Sequence, residues 1–407
     1  MSLTKFNYDF LIQPFGLHNS GSLCYLNSLI QSVLSSPSFV QLLYSHEDEF
    51  QHAGDNLGTR LLTVCKQFDC GPDFLNTTDS SPFRQSQIAD VSGVLREIQR
   101  IRTSSGMGGT LHTHTQEDVF EGFKFLIESL DSTDSIDGEV FLSNFAVRHR
   151  LTIHCGACNK QHNADKSSAP SEIMVNMADR DPLLQKNLES QEMVEKYIKT
   201  HMLYPDDYRC EDCNVKNNQA LGELYVKQFY SLARISSVIV LSFHHNHSVL
   251  LENAFARPGT PKKERTVAWF PQELTFLDVG KKLLKYKIIA QIEQYGSLSS
   301  GHYIAKCLRP RPPGHSQNRL QNAKKALQDT VMRIQIAEKS QDRSRIEHLQ
   351  NRATKMAGII KDEERRLSSN DPWDKMGVFR FDDRAITYES NGFTPNENTY
   401  LVFYQLV

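Results

Sequence analysis

A single change of hydrophobic period divides this 407-residue chain. Between residues 15 and 135 apolar side chains recur at helical spacing. Leu26, Leu29, Ile30, Val33 and Leu34 form an i, i+3, i+4, i+7, i+8 stripe that Ser35-Ser36-Pro37 ends. The segments "LGTRLLTVCKQF", "SGVLREIQRIR" and "TQEDVFEGFKFLIESL" repeat the pattern between Gly, Pro, Ser and Asn clusters. From about residue 140 the period becomes two, as in "FAVRHRLTIHC", "SSVIVLSFHH", "LKYKIIAQIEQY", "HYIAKCL", "GVFRFDDRAITY" and "TYLVFYQLV". Helices first and strands afterwards predict an α+β fold rather than alternating βαβ units. One further helix is expected over 186–203.

Residues 315–367 break the alternation. They are rich in Gln, Lys, Arg and Glu, with apolar residues at Leu320, Leu327, Val331 and Ile334 and again at Ile346, Leu349, Ala353, Met356 and Ile360. The polar "EKSQDRS" between the two series predicts a helical hairpin, bordered by "RPRPPG" and "SSNDP". Such a block is either a solvated insertion between two strands or an arm for a protein partner.

Composition narrows the function classes. A formal net charge of −2 argues against non-specific electrostatic binding of nucleic acid, so no nucleic-acid partner is expected. The longest apolar run, "SSVIVLSF" at 236–243, has the length of a strand, not of a membrane span. The opening "MSLTKFNYDFLIQPFG" lacks the basic and long apolar regions of a secretion signal, so the expected location is intracellular, in cytoplasm or nucleus. In that setting the eight cysteines are thiols or metal ligands rather than disulfides.

Four of them form two CxxC pairs, Cys155 and Cys158 in "CGAC" and Cys210 and Cys213 in "CEDC", with 51 residues between the pairs. Two such knuckles supply four thiolates to one tetrahedral zinc, and a site closed by four sulfurs serves folding rather than catalysis. Cys24 has a different setting. It stands between a Gly-bearing loop and the first helix, where unpaired N–H groups and the helix dipole favour a thiolate. A nucleophilic thiol needs a base, and an imidazole base needs an orienting group. His302, opening a strand after the turn "YGSLSSG", and Asp382 or Asp383, closing "GVFRFDD", can supply them, but spacing alone leaves this one triple among many.

Taken in order, the motifs are similar to those of the ubiquitin-specific proteases. "GLHNSGSLCYLNSLIQ" resembles the family's cysteine box, "TQEDVFEGFKFLIESL" its Q-x-D-x-x-E-F segment and the paired CxxC motifs its fingers. "YGSLSSGHYIAKC" resembles its histidine box, "FRFDD" its aspartate element and "TYLVFYQL" its closing strand. The resemblance implies a papain-like cysteine peptidase fold in one catalytic domain. Its parts would be a helical thumb at 15–137, zinc-ribbon β fingers at 138–235, an antiparallel β palm at 236–308 and 373–407, and a charged helical insertion at 309–372. It further implies Cys24 as nucleophile, His302 as general base, Asp382 as its orienter and Asn19 as oxyanion-hole donor. Asp118 and Glu121 would face the basic tail of the modifier, and Gly301 and Tyr303 would line the channel for its Gly-Gly end. The implied reaction is hydrolysis of isopeptide or peptide bonds after the C-terminal glycine of ubiquitin. Alternatives are a protease for a ubiquitin-like modifier, or a catalytically weak modifier-binding scaffold. The expected partners are the modifier and its conjugates, and a protein docked on the 315–367 arm.

Overall fold

The computed structural model describes residues 5–19, 21–70, 88–104, 117–132, 140–145, 148–166, 172–176, 210, 212–214, 226–234, 236–244, 246–247, 262–263, 270–277, 282–296, 301–312 and 314–407. The helix expected at 186–203 lies outside the described residues.

The N-terminal part is helical as its period predicts: α1 (Cys24–Val33), α2 (Pro37–Ser45), α3 (Glu47–His52), α4 (Leu57–Phe68), α5 (Ser92–Ser104), α6 (Val119–Asp131) and α7 (Val140–Phe145). The stripe on α1 predicts one buried face, yet all ten of its residues are buried. Its polar side chains survive burial because they bond to backbone. Ser28 donates to the Tyr25 carbonyl at 2.9 Å, Ser32 to that of Ser28 at 2.8 Å and Gln31 to that of Phe15 at 2.7 Å.

Fifteen strands are described: β1 (Gly16–Leu17), β2 (Ile88–Ala89), β3 (Arg148–Cys155), β4 (Gln161–Lys166), β5 (Glu172–Asn176), β6 (Val226–Arg234), β7 (Val238–His244), β8 (Asn246–His247), β9 (Lys262–Lys263), β10 (Glu273–Leu277), β11 (Leu283–Gly296), β12 (Gly301–Pro310), β13 (Met376–Asp382), β14 (Ala385–Tyr388) and β15 (Thr399–Leu406). The main sheet runs β14-β13-β12-β11-β15-β7-β5, with β10 also paired to β11, and every pairing in it is antiparallel except β5 with β7. β3, β4 and β6 form a separate antiparallel sheet, which ends at Cys155. α1 packs against β11, β12 and β13, so it lies between the other helices and the main sheet. Aromatic side chains join the two layers, as where Phe123 of α6 meets Phe403 of β15 edge to face at 5.8 Å.

A buried arginine fixes α1 to the sheet. Arg309, near the end of β12 and 1% exposed, donates from Nη2 to the Gln31 carbonyl at 2.7 Å and from Nη1 to the Ser35 hydroxyl. A cation on the last carbonyls of a helix satisfies groups with no intrahelical partner and complements the dipole. One end of α1 thus meets a guanidinium, and the other carries Cys24.

The 315–367 block is the helical hairpin that its sequence predicts: α8 (His315–Lys339) and α9 (Arg343–Ser368), inserted between β12 and β13. The seam differs in one detail. Val331 is 44% exposed, whereas Ala323, Thr330 and Ala337 are buried. The seam therefore steps alternately by three and four through Leu320, Ala323, Leu327, Thr330, Ile334 and Ala337, a heptad rather than the spacing of the largest apolar residues. The root of the hairpin is ionic. Arg311 donates to Glu363 at 2.9 Å and to the Met376 carbonyl at 2.9 Å, and it also bonds the Tyr388 hydroxyl. Arg319 pairs with the same Glu363 at 3.3 Å. His315 packs on Tyr388 in this root, where burial and the two flanking guanidiniums push its pKa down to about 4.

Candidate active site

Two distant parts of the chain meet at the N-terminus of α1. Cys24 is the first residue of the helix, 5% exposed, with Leu23 as a cap that gives no side-chain bond. The first-turn N–H groups therefore point into the same space as the sulfur. His302 is the second residue of β12, and its imidazole stands close enough to Cys24 to feel the sulfur. Its Nε2 lies 2.7 Å from Asp382 Oδ1 at the end of β13. With Nε2 committed to the carboxylate, Nδ1 is the ring nitrogen left for the sulfur. Arg380 donates to the other Asp382 oxygen at 3.2 Å, which holds the carboxylate in place. The neighbouring Cys24 sulfur and then the Asp382 partnership raise the His302 pKa to about 9 against the opposing effect of burial, so the imidazolium form is favoured beside Cys24.

The sequence left Asp382 and Asp383 interchangeable, and the structure separates them. Asp383 stays within 4.8 Å of the His302–Asp382 pair, but its oxygens accept two side-chain amides instead of the ring: Asn19 Nδ2 at 2.8 Å and Asn27 Nδ2 at 2.7 Å. Its φ of +51° is a left-handed conformation, and that reversal lets adjacent carboxylates serve different partners. β1 supports the turn, because Leu17 N–H donates to the Asp383 carbonyl at 3.0 Å. Gly16 is required there: a Cβ on it would stand 2.7 Å from the Arg384 carbonyl oxygen.

Asn19 is held at both ends of its amide. Its Oδ1 accepts the N–H groups of Gly21 and Leu23, each at 3.1 Å, and its Nδ2 donates to Asp383. One Nδ2 hydrogen remains beyond the Asp383 bond. Asn27 is a site residue that sequence reading missed. It stands three residues after Cys24, on α1, one of several buried polar residues there, and only its bond to Asp383 sets it apart.

The remaining predicted residues divide. Tyr303 is buried against Tyr400 with ring centroids 6.0 Å apart, and burial raises its pKa, so the phenol stays neutral. Gly301 faces Gly296 across the β11–β12 ladder. Asp118 caps α6: its Oδ1 accepts from Phe120 N–H at 2.8 Å and Glu121 N–H at 3.1 Å, and its Oδ2 accepts from the Tyr400 hydroxyl. Glu121 is exposed.

The four CxxC sulfurs gather apart from this site, all within 4.8 Å of one another, and form a donor set able to hold one metal ion. Cys155 Sγ lies 3.6 Å from Cys213 Sγ, and Cys158 Sγ 3.6 Å from Cys210 Sγ. Each pair sits on a turn closed in the same way. Asn159 N–H bonds the Cys155 carbonyl and Asn214 N–H the Cys210 carbonyl, both at 2.8 Å, with φ of +59° and +57°. The asparagine after each pair was the unread sign of these knuckles, since Asn tolerates the left-handed region. Burial works to raise the Cys155 pKa, but the backbone N–H groups of Cys158 and Ala157 bring it down to about 7.

Known proteins agree with this arrangement. Residues 15–404 match the family model "Ubiquitin carboxyl-terminal hydrolase". The chain is 22% identical over 340 residues to the probable ubiquitin carboxyl-terminal hydrolase FAF of Drosophila melanogaster, covering 73% of this chain and 12% of that protein. It is also 22% identical over 329 residues to ubiquitin carboxyl-terminal hydrolase 8 of Saccharomyces cerevisiae, covering 72% of this chain and 63% of that one. Among solved structures, a SAGA DUB module of Ubp8, Sgf11, Sus1 and Sgf73 bound to monoubiquitin is similar at a TM-score of 0.57 and 16% identity, covering 100% of this chain and 72% of the other. The same module bound to ubiquitin aldehyde gives 0.54 and 16% over 98% and 71%. The fold is therefore that of the papain-like deubiquitinases, and the chain belongs to the ubiquitin carboxyl-terminal hydrolase family.

Proposed function

We propose that this chain is a thiol-dependent deubiquitinase that hydrolyses the bond after the C-terminal glycine of ubiquitin. The observation that carries the reading is the His302–Asp382 pair standing beside Cys24 at the N-terminus of α1. In this mechanism the Cys24 thiolate attacks the glycine carbonyl. A C–S bond forms, and the carbonyl oxygen takes the negative charge. That oxygen is met by the Cys24 backbone N–H and by the free Nδ2 hydrogen of Asn19, with the dipole of α1 behind them. The tetrahedral carbon then expels the lysine or peptide amine, which leaves with the proton from His302. Water attacks the acyl-enzyme while His302 accepts its proton, and the thiolate departs from a free carboxylate. Asp382 fixes the ring and stabilises the imidazolium throughout.

The divisions follow from this reading: thumb at 15–137, fingers at 138–235, palm at 236–308 with 373–407, and the insertion at 309–372. Tyr303 and Gly301 form the wall and floor of the channel for the Gly-Gly end, where a side chain on the strand would crowd the substrate. Glu121 is exposed at the start of α6 and suits the basic tail of ubiquitin. Asp118 acts on that contact through its cap, since its oxygens already serve Phe120, Glu121 and Tyr400. The four cysteines fit one structural zinc: with Zn–S bonds of about 2.3 Å, a tetrahedron has edges of about 3.8 Å, close to the 3.6 Å spacings here. Cys155, Cys158, Cys210 and Cys213 would hold the ion, which would brace the fingers.

Release of fluorophore from ubiquitin aminomethylcoumarin tests the activity. Turnover by the chain and none by Cys24→Ala supports it, and equal rates for the two proteins overturn it.

A further inference from the structure

We propose that the α8–α9 arm is a docking surface for the phosphate backbone of duplex nucleic acid. The net charge of −2 averages over an uneven distribution. Residues 315–367 hold 12 Lys and Arg against 7 Asp and Glu, a surplus of five positive charges, which leaves −7 on the rest of the chain.

The surplus is also one-sided. The seam positions of α9 are Ile346, Leu349, Ala353, Met356, Ile360 and Glu363, which fixes the heptad on that helix as the seam of α8 fixes it there. In an antiparallel pair, the positions just before the first seam residue of each heptad share one flank, and those just after the second share the other. The first flank holds Arg319, Ala326 and Arg333 of α8 with Arg345, Arg352 and Ile359 of α9, four arginines and no carboxylate. The second flank is mixed, with Lys324 and Glu338 of α8 and Glu364 of α9, and there Lys324 pairs with Glu364 at 2.8 Å.

Arg319 is taken up by Glu363. The pairs Arg319–Glu363 and Lys324–Glu364 set the register that brings Arg333 level with the Arg345–Arg352 stretch. His348 and Lys355 continue the row on α9, at spacings of three and four residues. Arg333, Arg345, Arg352 and Lys355 are all exposed, and among the described residues none of their side chains has an ion-pair partner.

Coiled-coil flanks ordinarily place opposite charges across the seam. Here three guanidiniums share one flank with no carboxylate among its positions to offset them. From Arg345 to Lys355 the row covers about 15 Å at 1.5 Å per residue. A nucleic-acid duplex offers a negative charge every ~1.7 Å of its axis, so one row meets several phosphates. Arginine forks suit phosphate oxygens, and the flank has no aromatic residue on which an unpaired base could stack. Sheet-anchored Arg311 and Glu363 hold the arm at its root, so the charges are presented on a rigid rod.

Fluorescence anisotropy of a labelled DNA duplex of about 20 base pairs, titrated with the full chain, tests the proposal. Four neutralised phosphates give a log–log salt slope near −3.6, roughly a hundred-fold loss of affinity from 50 to 200 mM salt. The variant carrying Arg333→Gln, Arg345→Gln, Arg352→Gln and Lys355→Gln should lose that binding, with unchanged helical circular dichroism and ubiquitin hydrolysis within about twofold. A control variant with Lys325→Gln, Lys339→Gln, Arg343→Gln and Lys361→Gln removes as many charges elsewhere on the arm and should bind within about threefold of wild type. Absent binding at 50 mM salt, equal losses in both variants, or equal competition by polyglutamate would each overturn it, the last in favour of an acidic protein partner.

Discussion

Replacing Asp383 by Asn isolates the part of the site that neither the thiol nor the imidazole touches. The carboxylate gives one oxygen to Asn19 Nδ2 at 2.8 Å and the other to Asn27 Nδ2 at 2.7 Å. An amide of the same shape keeps one acceptor and turns an NH₂ towards the second donor. One charge-assisted bond, about 1.5–3 kcal/mol, is lost and a donor faces a donor. If Asn19 supplies the oxyanion hole, releasing its amide costs most of what removing such a donor costs, on the order of 10²-fold in kcat. KM should stay within about threefold, because both Asp383 oxygens face the chain's own amides. Alkylation of Cys24 by iodoacetamide should persist, since the His302–Asp382 bond is untouched. Steady-state hydrolysis of ubiquitin aminomethylcoumarin reads the split. A kcat within fivefold of wild type, or a loss confined to KM, would refute the oxyanion role argued for Asn19.

Other expectations follow from the same geometry. His302 keeps its proton above its ordinary value of 6.5, up to about 9. The pairing therefore stabilises the fold fully below pH 6.5 and ceases to as pH rises through about 9, and kcat/KM should fall on the same alkaline side. Asp382→Asn should move that alkaline limb to lower pH; an unmoved limb means Asp382 does not support the imidazolium. Metal analysis should find one zinc per chain, and Cys155→Ser should lose it. Ubiquitin hydrolysis should then suffer mainly in KM while Cys24 still alkylates, and an equal loss of alkylation would place the metal's influence at the reacting centre. Arg309→Met removes the charge-assisted bonds to the Gln31 carbonyl and the Ser35 hydroxyl and leaves those two groups only their bond to each other, which should lower stability by roughly 1.5–3 kcal/mol in urea unfolding. A change below about 0.5 kcal/mol would mean that packing alone seats α1.

What the sequence discloses is what local pattern encodes. Spacing along α1 places Cys24 at a helix start, the doubled CxxC marks the sulfur cluster, and two apolar series separated by "EKSQDRS" give the arm. What it conceals depends on contacts between distant residues. Asp382 and Asp383 are equivalent on paper, and only a left-handed backbone at Asp383 sends one to His302 and the other to Asn19, 364 positions away. Asn27 and Arg309 are hidden for the same reason, since a buried polar residue is recognised by a partner that no local window contains. Asp118 was legible as an acid near a helix, but its use as a cap appears only with the N–H groups it accepts. The seam of the arm favoured Ala323 and Ala337 over Val331 because close helix approach selects small residues over large ones.

The most direct test of the central claim is intact-mass analysis after incubation with ubiquitin ending in propargylamide, whose alkyne adds a thiolate held at the end of the channel. The account predicts one adduct of full probe mass, mapped to Cys24, lost in Cys24→Ala and strongly slowed in His302→Ala. An unmodified wild-type protein, or an adduct that survives Cys24→Ala on another cysteine, would contradict it.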